Sequence, residues 1–236
     1  MIYITGDVHA KFTPIERFCH EHGTSVDDTL IILGDAGINF HGEEKDRKKK
    51  DFLRTLPITL FCLHGNHDKR PAAVGTYEES AFRGGVVYRE PGYETILFAK
   101  DGDVYDFDGL RTLALGGAYS IDKDLRVALK WPWFEDEQPS EAIRARVEAT
   151  LLEIDYSVDV VLSHTAPLSH LPFSGPSRFP ALNIDLSTER WLDSIEQRLT
   201  YEHWYCGHFH IDTEIGRFTF MLDRYLPFGH YRTGEA

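Results

Sequence analysis

Asp7, His9, Asp35, Asn66, His164, His208 and His210 arrive in short clusters: Gly6-Asp7-Val8-His9, Gly34-Asp35-Ala36-Gly37, Gly65-Asn66-His67-Asp68, Ser163-His164-Thr165-Ala166-Pro167 and Gly207-His208-Phe209-His210. Singly, each has an ordinary reading. A Gly-Asp is a turn or a helix cap, an Asp-x-His or His-x-His places two groups on one face of an extended chain, and one His after an apolar run is a core or loop residue. Repeated five times, the pattern needs one explanation. Oxygen and imidazole donors without a thiolate suit Mn, Fe, Co, Ni or Zn. They are unlike the all-oxygen shells of calcium and magnesium or the sulfur-rich shells of structural zinc.

Seven donors exceed what one catalytic ion with an open position uses, but they suffice for two ions if one carboxylate bridges. Two divalent ions, two carboxylates and a bridging hydroxide leave a local charge of about +1, in a chain whose net charge is −13. Such a centre favours an anion. Two metals ~3.5–4 Å apart can clamp the attacking and leaving oxygens of an in-line displacement and lower the pKa of a bound water to ~7. Phosphate ester hydrolysis fits best. A dinuclear amide or lactam hydrolase stays open, although its tight His-x-His-x-Asp-His cluster is absent.

The elements that must position these groups are legible as continuous apolar runs at 2–5, 29–33, 58–63, 158–162 and 203–206. Such runs fit strands covered on both faces. Each cluster follows the carboxyl end of one of them, where open α/β sheets bind ligands. Thr13-Pro14-Ile15-Glu16 reads as a capped helix start running to His22. Pro139-Ser140-Glu141 opens a second helix, with Ile143, Val147, Leu151 and Ile154 at helical spacing, and Ser187 caps a third carrying Trp191, Ile195 and Leu199. Segments 86–89, 95–98, 103–107 and 110–115 are shorter and alternating and read as an antiparallel meander.

Composition restricts the function classes. No apolar stretch approaches the ~18 residues of a membrane span, and Met1 leads straight into a strand-like run without a secretory leader, so the expected compartment is the cytoplasm. The acidic balance argues against general affinity for nucleic acid or anionic membrane. The basic run at 45–51 is interrupted by acids and reads as a solvated helix face. Cys19, Cys62 and Cys206 read as small buried hydrophobes. The length suits one domain over residues 1–236.

The ordered series DVH, GDAG, GNHD, SHTAP and GHFH, spanning residues 6 to 210, resembles the calcineurin-like metallophosphoesterase superfamily in a compact bacterial or phage-type form. The resemblance implies an α/β fold, a four-layer αββα sandwich of two mixed β-sheets flanked by helices. It implies a dinuclear metal-dependent phosphoric ester hydrolase (EC 3.1.-.-) that acts by attack of a metal-bridging hydroxide. The first ion would be held by Asp7, His9, Asp35 and His210 and the second by Asp35, Asn66, His164 and His208, with manganese the leading metal and Fe, Zn, Ni or Co as alternatives. His67 would then be the general acid, with Asp68 orienting its imidazole.

The substrate class is a small phosphorylated molecule or nucleotide, as a mono- or diester. A metal-dependent nuclease and a phosphoprotein phosphatase of the same superfamily stay as alternatives, and a non-catalytic scaffold is a third. Protein phosphatase activity is disfavoured because Ala10 and the stretch Gly34–His41 depart from that branch, whose phosphate-gripping Arg has no counterpart here. Specificity is expected in connections 116–139 and 171–183, where Lys123, Arg126 and Arg178 offer cations for phosphate and Trp131 and Trp133 offer planar faces. His41 and His64 fit no ligand position.

Overall fold

Apolar runs with no polar face can be satisfied only between two other layers, and the chain builds such an arrangement. The computed structural model describes residues 1–172 and 184–233. In chain order its elements are β1 (Ile2–Thr5), α1 (Thr13–His22), β2 (Thr29–Ile32), α2 (Glu43–Leu53), β3 (Thr59–Cys62), β4 (Glu78–Phe82), β5 (Gly85–Arg89), β6 (Ile96–Ala99), β7 (Val104–Phe107), β8 (Leu110–Leu115), α3 (Lys123–Leu129), α4 (Glu141–Glu153), β9 (Val160–Ser163), α5 (Ser187–Glu196), β10 (His203–Cys206), β11 (Thr213–Ile215), β12 (Phe218–Phe220) and β13 (Leu226–Pro227). Short 3₁₀ turns complete the list.

Two mixed sheets result, one of seven strands in the order β13-β1-β2-β3-β6-β5-β4 and one of six in the order β11-β12-β10-β9-β8-β7. Strands β1, β2, β3 and β6 are mutually parallel, as are β12, β10, β9 and β8. Register explains the layering. Ile4, Ile31, Phe61 and Leu97 lie side by side and enter the core between the sheets, where Ala114, Leu162 and Tyr205 meet them from the other sheet. The alternate residues Leu30, Leu60 and Ile96 point outward, against Ile15, Phe18 and Cys19 of α1 and Leu53 of α2. On the far side Leu113, Val161 and Trp204 meet Val147 and Leu151 of α4 and Leu192 and Ile195 of α5. The four layers are thus helix, sheet, sheet, helix, as the sequence resemblance implied. Phe61 ties the two sheets together: it is fully buried and meets Tyr105 and Phe107 edge-on at centroid distances of 4.8 and 5.1 Å.

Several local expectations are corrected. The four middle segments are not one meander. Segment 95–98 becomes β6, which pairs in parallel with β3, while 110–115 becomes β8, which pairs in parallel with β9 in the other sheet. Neighbours do pair antiparallel as expected, β5 with β6 and β7 with β8, but the two pairs lie in different sheets, and β6 and β8 each pair in parallel on their other edge. Thr13 makes no side-chain cap to α1, and at α5 the Ser187 N–H donates to Asp185 Oδ1 at 2.9 Å. Ser140 does cap α4, accepting from the Ile143 N–H at 3.3 Å. The basic run forms α2, yet Lys50 is buried and pairs with Glu90 at 2.5 Å. The three cysteines are free and buried. Among the described residues, no helix is long and apolar enough to cross a membrane.

Candidate metal centre

The parallel strands deliver their following residues to one place. From the seven-stranded sheet come Asp7 and His9 after β1, Asp35 after β2, and Asn66 and His67 after β3. From the six-stranded sheet come Ser120 after β8, His164 after β9, and His208 and His210 after β10.

The turns that hold these groups are tight. His9, Asp35, His208 and His210 have φ of 49°, 46°, 66° and 53°, in the left-handed region that non-glycine residues seldom occupy. Cross-links between loops sustain them. The N–H groups of Val8 and His9 donate to Asp35 O at 3.2 and 2.7 Å, the His208 N–H to Asp7 Oδ1 at 2.9 Å, and the His67 N–H to Asp35 Oδ1 at 2.9 Å. Two glycines are required by close approach: a Cβ at Gly65 would collide with the Asp35 carboxylate, and one at Gly207 with the Asp7 carboxylate.

Two side-chain groups result. In the first, Asp7 Oδ2 lies 3.3 Å from His210 Nε2 and 3.7 Å from His9 Nε2, and the two imidazole nitrogens are 2.9 Å apart. In the second, Asn66 Oδ1 lies 2.8 Å from His164 Nε2 and 3.1 Å from His208 Nδ1. Asp35 stands between them, with Oδ1 3.7 Å from His164 Nε2 and Oδ2 3.9 Å from His9 Nδ1.

These donors fit divalent cations. Asp7 and Asp35 are 4% and 2% exposed, too buried to be left as uncompensated charges, and Asp7 Oδ2 forms no hydrogen bond among the described residues. Asp7 Oδ1 also lies 3.9 Å from His164 Nδ1. That nitrogen is already taken, because it donates to the Leu33 carbonyl at 2.7 Å. Where that Nδ1 proton is the ring's only one, Nε2 and the Asn66 carbonyl oxygen face each other as two acceptors at 2.8 Å. A shared cation resolves that conflict. Asp7, His9 and His210 on one hand, and Asp7, Asp35 and His164 on the other, are grouped closely enough to hold ions.

The charge states agree. Burial holds the imidazoles of His9 and His67 below the usual range and that of His208 down to about 3, so they stay neutral with a lone pair to donate. His210 is shifted the other way, raised by its contact with Asp7. For Asp7 the cost of burial is outweighed by His210, His164 and the His208 N–H, and its carboxyl is held low.

His67 lines the open side of the centre. Its Nε2 is 3.3 Å from Asn66 Nδ2, 3.4 Å from Arg126 Nη2 and 3.9 Å from Asp35 Oδ2. The expected orienting role of Asp68 has no counterpart in this geometry. Its fully buried carboxylate turns away, accepting from the Gly37 N–H at 3.1 Å, and forms no hydrogen bond with His67 among the described residues. Burial and the nearby Asp35 push the Asp68 carboxyl well above its usual range.

The three candidate substrate cations separate. Arg126 lines the cavity in front of the centre, its Nε held by Asp122 at 2.8 Å. Lys123 is spent on the rings of Trp133 and Tyr119, at 4.5 and 5.7 Å from their centroids. Arg178 lies outside the described residues. Trp131 is exposed and Trp133 donates to Glu137 at 2.8 Å, so neither lines the cavity. His41 reaches the cavity wall, and His64 is buried with Nε2 2.8 Å from Asp68 O.

One participant escaped the sequence reading. Ser120 Oγ, 1% exposed, accepts from Asn66 Nδ2 at 2.9 Å and bonds in turn to buried Glu137. This contact decides which end of the Asn66 amide faces the two imidazoles. The signal was the segment 110–115, which runs into Gly116-Gly117 as four of the five clusters open on Gly, but with no Asp or His directly after it.

Comparison with known proteins agrees with this architecture. The profile of the calcineurin-like phosphoesterases matches residues 1–212. A search of curated protein sequences finds no match. Among solved structures, one crystal structure superimposes with a TM-score of 0.50 at 13% identity, covering 93% of this chain and 88% of that one, a likeness of fold alone.

Proposed function

The chain belongs to the calcineurin-like phosphoesterase family, and from that premise we propose that it hydrolyses a small phosphate mono- or diester with two divalent ions. Asp7, His9, Asp35 and His210 would hold one ion, and Asp35, Asn66, His164 and His208 would hold the other, with Asp35 shared between them. The observation that carries this reading is the pair of facing acceptors, His164 Nε2 and Asn66 Oδ1. When bound, such ions neutralise phosphate charge and lower the pKa of a coordinated water to ~7.

The remaining work falls to side chains at the cavity mouth. Arg126, its Nε pinned by Asp122 and its Nη1 bonded to the Pro132 carbonyl at 3.3 Å, presents Nη2 beside His67, where it pairs with a phosphate oxygen. His67 is neutral in the free protein because of burial. The negative charge of a bound phosphate favours its protonated form, and Nε2 then gives its proton to the leaving oxygen. Asp35, on the inner side of the ring, supports that charge at 3.9 Å.

The test is metal analysis after loading with Mn²⁺, followed by assays on 4-nitrophenyl phosphate and bis(4-nitrophenyl) phosphate. Two ions per chain with turnover of at least one ester is expected. Two tightly bound ions without turnover of any phosphoester would replace the enzyme with a metal-bearing scaffold.

A further inference from the structure

The cavity in front of His9, His67 and His210 is larger than phosphate requires. Its volume is about 870 Å³, within the range that buries a drug-sized ligand. Away from the imidazoles its wall is built largely of Phe40, Tyr119, Ile121, Leu171, Ile184 and Leu186. The part of the substrate that occupies it is correspondingly apolar.

Two acids interrupt that wall among the described residues, Asp122, which holds Arg126, and Glu189. Glu189, in the first turn of α5, is 4% exposed and lines the cavity. Its Oε1 accepts from Thr165 Oγ1 at 2.9 Å, which ties it to the loop carrying His164; the residue's own N–H also favours the ionised carboxylate, and Oε2 makes no hydrogen bond to another side chain among the described residues. A buried oxygen of this kind costs free energy until something donates to it. Burial raises the Glu189 carboxyl above its usual range, and either protonation state keeps acceptor capacity. The proposed hydrolysis makes no use of the group.

We propose that Glu189 selects the leaving group: the substrate's alcohol part is a flat, largely apolar ring system bearing an N–H donor, and Glu189 Oε2 accepts from it. This rests on the phosphoesterase reading above. A nucleoside with an amino-bearing base has this chemistry, with its sugar phosphate at His67 and Arg126, its base between apolar walls that include the rings of Phe40 and Tyr119, and its exocyclic amine at Glu189. A plain alkyl phosphate would leave Oε2 unsatisfied. A sugar phosphate would set hydroxyls against the apolar wall.

The experiment uses Mn²⁺-loaded protein and ligand pairs that differ by one amino group: adenosine 5′-phosphate with purine riboside 5′-phosphate, and cytidine 5′-phosphate with its 4-deamino analogue. The readout is the ratio within each pair, in kcat/KM where the pair is hydrolysed and in Kd where it only binds. Wild type is expected to favour the amino member of at least one pair by about 10-fold or more, the worth of one well-made hydrogen bond. Glu189→Leu should bring that ratio to about 1, and Glu189→Gln, which keeps an acceptor oxygen, should retain much of it. No preference in wild type, or a Glu189→Leu loss equal for both members, overturns the inference. Wild-type turnover of 4-nitrophenyl phosphate reports on the parent reading separately. If no ester is cleaved, that reading fails, and the Kd ratio still decides the role of Glu189.

Discussion

Replacing Ser120 with Ala removes one oxygen atom that touches no candidate metal position, yet it should weaken one site selectively. Ser120 Oγ is the close acceptor for Asn66 Nδ2, at 2.9 Å, against 3.3 Å to His67 Nε2. Without it the buried amide donor is left short of a partner, at a cost of about 1–3 kcal/mol. The amide can escape part of that cost by rotating, but it would then turn N–H groups toward His164 and His208. At 1.4 kcal/mol per factor of ten, the cost corresponds to roughly 5- to 150-fold in affinity, which brackets the 10- to 100-fold typical of lost outer-shell partners. Calorimetric titration of metal-free protein with Mn²⁺ should show one site weakened by about that factor and the other, built on Asp7, His9 and His210, within about twofold of wild type. Ser120→Thr, which keeps the hydroxyl, should restore most of the loss. A urea midpoint guards against unfolding, since Ser120 also bonds Glu137. If both sites weaken equally, or neither does, the claim that Ser120 orients Asn66 is refuted.

Other expectations concern the same centre and the core. His67→Ala should keep two ions by metal analysis and lose ~10²–10⁴ in turnover; loss of an ion would make His67 a ligand instead. Asp35→Ala should impair both sites together, and a variant retaining two tight ions would remove Asp35 from the bridging position. Gly65→Ala should cut metal content without any change of charge, because the added methyl takes the space of the Asp35 carboxylate; unchanged stoichiometry would show that the loop yields. Far from the centre, burial and the neighbouring His230 depress the His203 pKa to about 4. The unfolded chain binds that proton near pH 6.5, so stability present above ~6.5 should be lost as pH falls toward ~4, by up to about 3 kcal/mol. His203→Gln should flatten this part of the urea-midpoint profile, and identical slopes would assign the loss to other groups.

The parts of this protein legible in its sequence were those where one local rule acts alone. Continuous apolar runs at 2–5, 29–33 and 203–206 became strands because both of their faces are covered. The five polar clusters were visible because each follows such a run. Ser120 was missed because β8 was read as part of a meander, and only its parallel pairing with β9 aligns its carboxyl end with the others. Asp68 was given to His67 by the family resemblance, but its carboxylate accepts from the Gly37 N–H and forms no hydrogen bond with His67 among the described residues. Arg126 could be noticed as a cation, while its approach to His67 depends on α3 folding back over the cavity. Glu189 left a faint trace: it lies three residues before Leu192 on the buried face of α5, where a carboxylate is out of place.

The division of the centre between two sheets has a consequence during synthesis. Asn66, the last of the early donors, leaves the ribosome about 140 residues ahead of His208 and His210, an interval of roughly 7–30 s at ~5–20 residues per second. Throughout that time the early segments can form neither ion pocket, because each pocket draws on imidazoles from β9 or β10 of the second sheet. On the proposed ligand assignment, cations would load only after the sandwich closes, and their uptake by a nascent chain would time the docking of its two halves.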